Sequence, residues 1–158
     1  MKIRMQSALL LLLTGSLFAG AGQAQNIEHA IKARQGLMQN YAFNISLVGA
    51  MAKGKAEYNA EVAQNAAENM MAIATMKNGA LWPAGSGTDN IEFGDMTRAL
   101  PENWTTYPAS AEKGKKLVAA LEEFLKVAGQ GLDAMKGGIG DVGNGCKGCH
   151  KEFRAKKN

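Results

Sequence analysis

The chain has 158 residues and a mass of 16.7 kDa, which suits a single domain. Apolar residues make up 46% and charged residues 20% of it, which is the balance of a globular protein and excludes wholesale disorder. Two cysteines exclude a disulfide-rich scaffold, and the net charge of +4 is only mildly basic.

Residues 1–24 are predicted to be a secretory signal peptide that is cleaved after Ala24. Lys2 and Arg4 form a positive start, and a short apolar run follows at residues 8–18. The run is far shorter than the ~20 residues that span a bilayer, so a membrane anchor is the weaker interpretation. Removing Lys2 and Arg4 lowers the net charge from +4 to +2, which argues against a nucleic-acid partner. We expect the mature protein, residues 25–158, to have no membrane association.

Apolar residues at steps of three and four predict four helices in the mature chain. The first two are expected at residues 27–53 and 57–77, and the last two at residues 110–128 and 132–156. Between the two pairs, the Gly- and Pro-rich residues 79–108 are predicted to form a long ordered loop. The sequence predicts Ser110 as a cap of the third helix, and Val62 and Met76 as inward-facing residues of the second.

The motif Cys-x-x-Cys-His at residues 146–150 is the attachment pattern of c-type haem. Cys146 and Cys149 lie on one helical face and can bond the two vinyl groups of one haem. His150 then follows as the proximal iron ligand. A redox dithiol would need a βαβ pattern, and a zinc site would need more ligands, whereas the only other histidine is His29. We therefore expect one covalently attached haem c, with its iron, per chain.

The motif lies near the end of the chain, so a sixth iron ligand must come from an earlier helix. Only eight residues follow His150. In an antiparallel bundle, the first helix runs opposite to the last, which brings Arg34 and Met38 towards the haem. The sequence therefore predicts an all-α, up-down-up-down four-helix bundle with the haem in its core.

The last predicted helix is unusually rich in glycine, and each glycine costs roughly 1 kcal/mol relative to alanine inside a helix. One account is that the missing side chains let the haem or a neighbouring helix lie close to the backbone. We then expect this helix to depend on bound haem. The residues concerned are Gly137, Gly138, Gly140, Gly143, Gly145 and Gly148.

Several segments occur in a fixed order along the mature chain. They are Arg34-Gln35-Gly36-Leu37-Met38, the Leu-Trp-Pro-Ala-Gly-Ser-Gly run at residues 81–87, Glu102-Asn103-Trp104, Gly140-Asp141-Val142-Gly143, the haem motif and Phe153-Arg154. This set resembles the cytochrome c′ family, the class II c-type cytochromes with a C-terminal haem motif. The resemblance covers essentially all of the mature chain and implies a four-helix bundle.

The resemblance also implies roles for single residues. Cys146 and Cys149 match the thioether positions, and His150 matches the proximal ligand. Arg34 matches an arginine near the haem propionates, and Arg154 matches an arginine near the proximal side.

Each surrounding residue also has a simpler interpretation. As the one charge on an apolar seam, Arg34 either has a partner such as a carboxylate or extends to solvent at the bundle edge. Arg154 could be an ordinary solvated charge of the tail. Trp104, with Trp82, either contacts the haem or only closes one end of the core.

Met38 occupies the position that faces the distal side of the iron in the family. High-spin members that bind gases usually have Leu or Phe there, whereas a low-spin branch has Met. The resemblance therefore implies His150 and Met38 as axial ligands. Two alternatives remain, because methionine is a common core filler and because His29 is the other conceivable ligand.

The resemblance implies a periplasmic electron carrier that serves other periplasmic redox proteins and is not an enzyme. The alternative is a five-coordinate cytochrome c′ that binds nitric oxide or carbon monoxide at an open distal site. Family members can pair through their first two helices, which leaves both a monomer and a homodimer open. The chain shows no acid–base constellation for an enzyme.

Overall fold

The structure is a computed structural model that describes residues 16–156, with side chains from Asn26 onward. Most of the predicted signal peptide lies outside the described residues, and its cleavage stays a prediction. The described part contains four long helices and one short one, which confirms the all-α bundle. The helices are α1 (Ser16–Ala52), α2 (Ala60–Thr75), α3 (Glu102–Thr105), α4 (Tyr107–Val127) and α5 (Leu132–Phe153). None of them is long and apolar enough to cross a membrane.

One half of the bundle has a continuous apolar core, which we call the closed half. All four long helices contribute to it, and most of its side chains are inaccessible to solvent. Burial of large apolar side chains is the main favourable term in folding, so this half stabilises the bundle. Its residues are Val48, Met51, Ala63, Ala66, Ala67, Met70, Leu121, Phe124, Ala128, Met135 and Val142.

Two glycines of α5 allow it to pack closely against α4. A Cβ atom on Gly138 would lie 2.8 Å from Val127 Cγ2 and 2.9 Å from Phe124 Cδ2. A Cβ atom on Gly145 would lie 3.2 Å from Leu117 Cα. The expectation of a close neighbouring helix is therefore confirmed for these two glycines. The other four, Gly137, Gly140, Gly143 and Gly148, have open space at that position.

Tyr58, which lies between α1 and α2, forms hydrogen bonds to the connection between α4 and α5. Its hydroxyl donates to the carbonyl of Ala128 at 3.0 Å and accepts from the backbone N–H of Gly131 at 2.9 Å. Gly131 has a φ of +116°, a conformation that favours glycine. Nearby, the Asn59 side chain accepts from Val62 N at 2.9 Å and caps α2.

Three details of the predicted helices are wrong. Val62 is 38% exposed and Met76 is 43% exposed, because the small alanines of α2 face the core in their place. Ser110 does not cap α4, which begins three residues earlier at Tyr107. Pro108 fits the first turn of that helix, since the missing N–H would have no helical partner there.

The predicted loop is an ordered crossover from α2 to α4. We call residues 79–101 the crossover loop. It contains two short 3₁₀ turns, Gly79–Leu81 and Gly94–Met96, and α3 follows it directly. Its last residues pair with the segment after α5, through a bridge between Ala99 and Arg154 and a 3.0 Å bond from Leu100 N to the Phe153 carbonyl. The loop thus runs across the end of the bundle that carries the haem motif.

Candidate haem site

The two cysteines lie in the last turns of α5 as half-exposed free thiols. Burial raises the pKa of both Cys146 and Cys149, with a further contribution from the neighbouring thiol for Cys146. Both are therefore protonated at neutral pH. Their spacing turns both sulfur atoms towards one side of the helix, as the double thioether attachment of haem requires.

His150 follows directly and is half-buried. Burial lowers its pKa, and the positive charges of Arg154 and Arg98 lower it further. The imidazole is therefore neutral at pH 7, which is the form that coordinates iron. Arg154 itself is exposed, and its charge contributes to lowering the pKa of His150.

Tyr41 shows that α1 faces the haem motif. Burial, followed by the proximity of Cys146, raises the pKa of Tyr41 to about 12. A direct electrostatic effect requires that the two side chains lie near each other. The middle of α1 therefore lies opposite the thiols of α5, as the antiparallel bundle predicts.

Met38 lies on the inward seam of α1 and is nevertheless uncovered. Ile31 and Ile45 flank it at heptad spacing on the same seam. Ile31 is fully buried and Ile45 is half-buried, whereas Met38 is 43% exposed. Met38 is therefore not covered by the protein's own core, and its role as an iron ligand stays a prediction. His29 is exposed and lies nine residues before Met38 on α1, which is more than two helical turns away.

The residues present fit a haem. We call residues 34–41 of α1 and 146–150 of α5 the open half of the bundle. These residues include the exposed thioether of Met38, the two cysteine thiols and the neutral imidazole of His150. Within residues 16–156, no three His, Cys, Asp or Glu side chains are placed to hold a bare metal ion.

Arg34 is buried one turn before Met38, with an exposure of only 4%. Its guanidinium donates to Ser86 Oγ and to Thr97 Oγ1, each at 2.6 Å. It also donates to the Ser86 carbonyl and, at 3.5 Å, to the carbonyl of Leu81. Burial lowers the pKa of Arg34 to about 10, so it remains charged at neutral pH.

Both tryptophans of the chain pack around this guanidinium. The Arg34 Cζ atom lies 4.9 Å from the centre of the Trp82 ring and 5.9 Å from that of Trp104. The two ring centres are 6.2 Å apart, and Trp104 Nε1 donates to the Trp82 carbonyl at 3.0 Å. The tryptophans thus provide cation–π contacts to a buried charge.

The alternative that Arg34 reaches solvent is wrong, because the residue is buried. Its partners within the described residues are neutral oxygens of the crossover loop, and none of the ion pairs among those residues includes it. Its predicted contact with a haem propionate stays a prediction. Ser86 and Thr97 were missed because nothing in their local sequence distinguishes a buried acceptor from an ordinary turn residue. Their only signal was the Gly-Ser-Gly setting of Ser86.

Comparison with known families identifies the family of the chain. Residues 29–154 match the family model described as Cytochrome C'. The chain belongs to the cytochrome c′ family. It is therefore a c-type cytochrome that carries electrons through covalently bound haem c and its iron.

Individual relatives cover most of the chain. Cytochrome c-554 from Cereibacter sphaeroides is 35% identical over 84% of this chain and 98% of its own length. A solved cytochrome c′ from Rhodobacter superposes with a TM-score of 0.78 at 28% identity, covering 83% of this chain and 98% of that one.

Two further solved relatives bear on assembly and on ligand binding. A cytochrome c′ described as having an unusual ligand-controlled dimer dissociation has a TM-score of 0.74 at 30% identity, covering 82% of this chain and 97% of that one. A nitric oxide complex of a cytochrome c′ variant from Alcaligenes xylosoxidans has a TM-score of 0.71 at 26% identity, covering 83% and 97%.

Proposed function

We propose that the protein is a single-electron carrier whose haem iron has His150 and Met38 as axial ligands. The observation that carries this proposal is the exposure of Met38 on an otherwise covered seam, beside the haem motif. A thioether in that position is available to iron, and His/Met ligation raises the reduction potential of a haem. The name cytochrome c-554 of a 35% identical relative is in accord with a branch distinct from typical cytochrome c′.

The residues of the open half have separate roles in holding the haem and coordinating its iron. When bound, the haem supplies a one-electron ferric/ferrous couple. Cys146 and Cys149 hold it covalently, so that it is retained in every oxidation state. His150 is neutral and ready to coordinate. Met38 would supply its thioether as the second protein ligand of the iron, which would exclude exogenous ligands and keep the coordination unchanged during electron transfer.

The proposed location is the periplasm, and the proposed partners are periplasmic redox proteins. The signal-like residues 1–24 support export, because they combine a positive start with a short apolar run. Attachment of haem to two reduced thiols also accounts for both cysteines. N-terminal sequencing of the exported protein is expected to begin at Gln25, and a start at Met1 would contradict this part of the proposal.

The ligand assignment is tested by replacing Met38 with alanine. The M38A variant is expected to change from a low-spin to a high-spin spectrum and to bind carbon monoxide. Met76 provides a matched control, since it is also 43% exposed but lies at the end of α2. M76A should keep the wild-type spectrum. An unchanged spectrum in M38A would show that Met38 does not bind the iron.

The second candidate function is gas binding at an open distal site. It is favoured by the relative that was solved with nitric oxide bound. On this alternative, the 43% exposure of Met38 would mark an accessible distal pocket in which the thioether only lines the wall. Wild-type protein would then bind carbon monoxide as readily as M38A does.

We further infer that the chain pairs with a second copy through α1 and α2. Phe43 is 61% exposed and borders a shallow cleft between these helices, together with Leu37 and Ile73. A relative described as having a ligand-controlled dimer dissociation supports pairing between two copies. Sedimentation of wild-type protein should reveal a dimer, and Phe43→Asp should shift it to a monomer. A monomeric wild type at high concentration would contradict the inference.

A further inference from the structure

Arg34 is a buried cation whose partners among the described residues are all neutral. It is only 4% exposed, and it takes part in none of the ion pairs found among the described side chains. Placing a charge in the protein interior is costly unless hydrogen bonds replace its hydration. The fold therefore retains this charge through the groups that surround it, and all of them come from other parts of the chain.

The crossover loop uses every N–H of the two terminal nitrogens. Nη1 donates to Ser86 Oγ and to the Leu81 carbonyl, and Nη2 donates to the Ser86 carbonyl and to Thr97 Oγ1. Ser86 is fully buried and Thr97 is 7% exposed, so these bonds are shielded from water. Hydrogen bonds to a charged group are stronger than neutral ones, particularly when shielded.

The same loop is fastened to α5 at its other end. Leu100 N donates to the Phe153 carbonyl at 3.0 Å, and Ala155 N donates to the Arg98 carbonyl at 2.8 Å. Arg98 Nε returns a 2.9 Å bond to the Ala155 carbonyl. The loop therefore joins α1, one turn before Met38, to the end of α5, just after His150.

We infer that Arg34 is a positioning residue that latches the crossover loop onto α1 and so sets the spacing between Met38 and His150. This role goes beyond the propionate contact that the family resemblance implies, since both terminal nitrogens are committed to the loop. The inference uses the proposed ligation for one of its readouts. Its other readout, the order of the loop, does not depend on which ligands the iron has.

The test compares two variants of the holoprotein. One changes the guanidinium donor of α1, and the other removes the hydroxyl acceptors of the crossover loop. R34K keeps the positive charge, but an ammonium cannot make the forked bonds or the flat stacking of a guanidinium. The double variant S86A/T97V keeps Arg34 and removes both hydroxyl acceptors. It also carries the test alone if R34K fails to fold. Lys32→Met is the matched control, because Lys32 is an exposed cation two residues earlier on α1.

The first readout is amide hydrogen exchange across residues 84–97. Both variants are expected to exchange about tenfold faster there than wild type, the factor produced by losing one hydrogen bond to a charge. The Lys32→Met control should match wild type. Unchanged exchange in S86A/T97V and in R34K would overturn the latch.

The second readout is the haem spectrum with and without carbon monoxide. If wild type is low-spin, both latch variants are expected to show a partial high-spin fraction that binds carbon monoxide. Faster exchange with a fully wild-type spectrum would contradict the claim that the latch sets the ligand spacing. If wild type is five-coordinate, the proposed ligation fails, and the exchange measurement still decides whether Arg34 latches the loop.

Discussion

The closed and open halves of the bundle share α1 and α5 but are stabilised in different ways. In the closed half, Phe124, Met135 and Val48 are fully buried against one another and against the alanines of α2. In the open half, Met38 and the two thiols remain accessible, and a polar latch with two tryptophans holds the crossover loop in place. The closed half completes its own apolar core, and the open half carries the residues that attach the haem.

This difference shows how one short chain can serve two requirements. The closed half provides the apolar burial that stabilises a domain of this size. The open half keeps its iron-binding and haem-attaching groups in place without covering them. Four variants, or pairs of variants, test how independent the two halves are.

Removing the covalent attachment should have the largest effect. The double variant C146A/C149A is expected to carry no covalently bound haem. Haem staining of a denaturing gel should therefore show no band for it. Amide protection should then fall in the last turns of α5 and in the crossover loop, while the region around Phe124 stays protected. Circular dichroism of this variant tests whether α5 depends on haem, and helicity equal to that of the holoprotein would contradict that dependence.

Truncating the centre of the closed half should affect stability but not the haem. Phe124→Ala is expected to lower the free energy of unfolding by about 3–5 kcal/mol, because it leaves a cavity among fully buried side chains. Chemical denaturation measures this change, and the haem spectrum should stay that of wild type. Ile91→Ala, at a fully exposed position, serves as the control and should change stability by less than about 0.5 kcal/mol. A changed spectrum in Phe124→Ala would show that the halves are coupled.

Two glycines of α5 should respond to alanine with opposite signs. At Gly138 the new Cβ would lie 2.9 Å from Phe124 Cδ2, so Gly138→Ala should lower the unfolding free energy by about 1 kcal/mol or more. At Gly140 nothing lies within 4 Å, so Gly140→Ala should raise it by up to about 1 kcal/mol through helix propensity. Denaturant midpoints decide the signs. The same sign at both positions would contradict the close packing of α4 on α5.

The smallest effect concerns Tyr41 and alkaline pH. Its pKa in the folded protein is about 12, above the value of about 10 expected for an unfolded tyrosine. The stabilisation by the protonated phenol is complete below about pH 10 and is lost as the pH rises towards 12. Tyr41→Phe should therefore lose less stability than wild type between about pH 10 and pH 12, as measured by denaturant midpoints. Tyr107→Phe, at an exposed tyrosine, controls for loss of a hydroxyl, and equal losses in Tyr41→Phe and wild type would contradict the burial of Tyr41.

The sequence predicted the parts of the molecule that depend on local pattern. The four long helices follow from apolar spacing, and the haem motif follows from two thiols and an imidazole at fixed spacing. The antiparallel order then placed Met38 towards the motif. Each of these inferences needs only the geometry of one helix or the direction of two.

The parts that depend on contacts between distant segments could not be predicted in this way. Ser86 and Thr97 lie 52 and 63 residues from Arg34, and neither carries a pattern that marks it as a buried acceptor. The inward face of α2 was also misjudged at Val62. Which side of α2 faces the core depends on how closely its alanines allow α4 to approach. The apolar pattern of a single helix does not reveal this.

The most direct test of the account is the visible absorption spectrum of the purified mature protein, oxidised and reduced, with and without carbon monoxide. The account predicts a sharp low-spin reduced spectrum that carbon monoxide does not change, because His150 and Met38 occupy both axial positions of the iron. A broad high-spin spectrum that shifts when the gas is added would contradict it and would establish an open distal site.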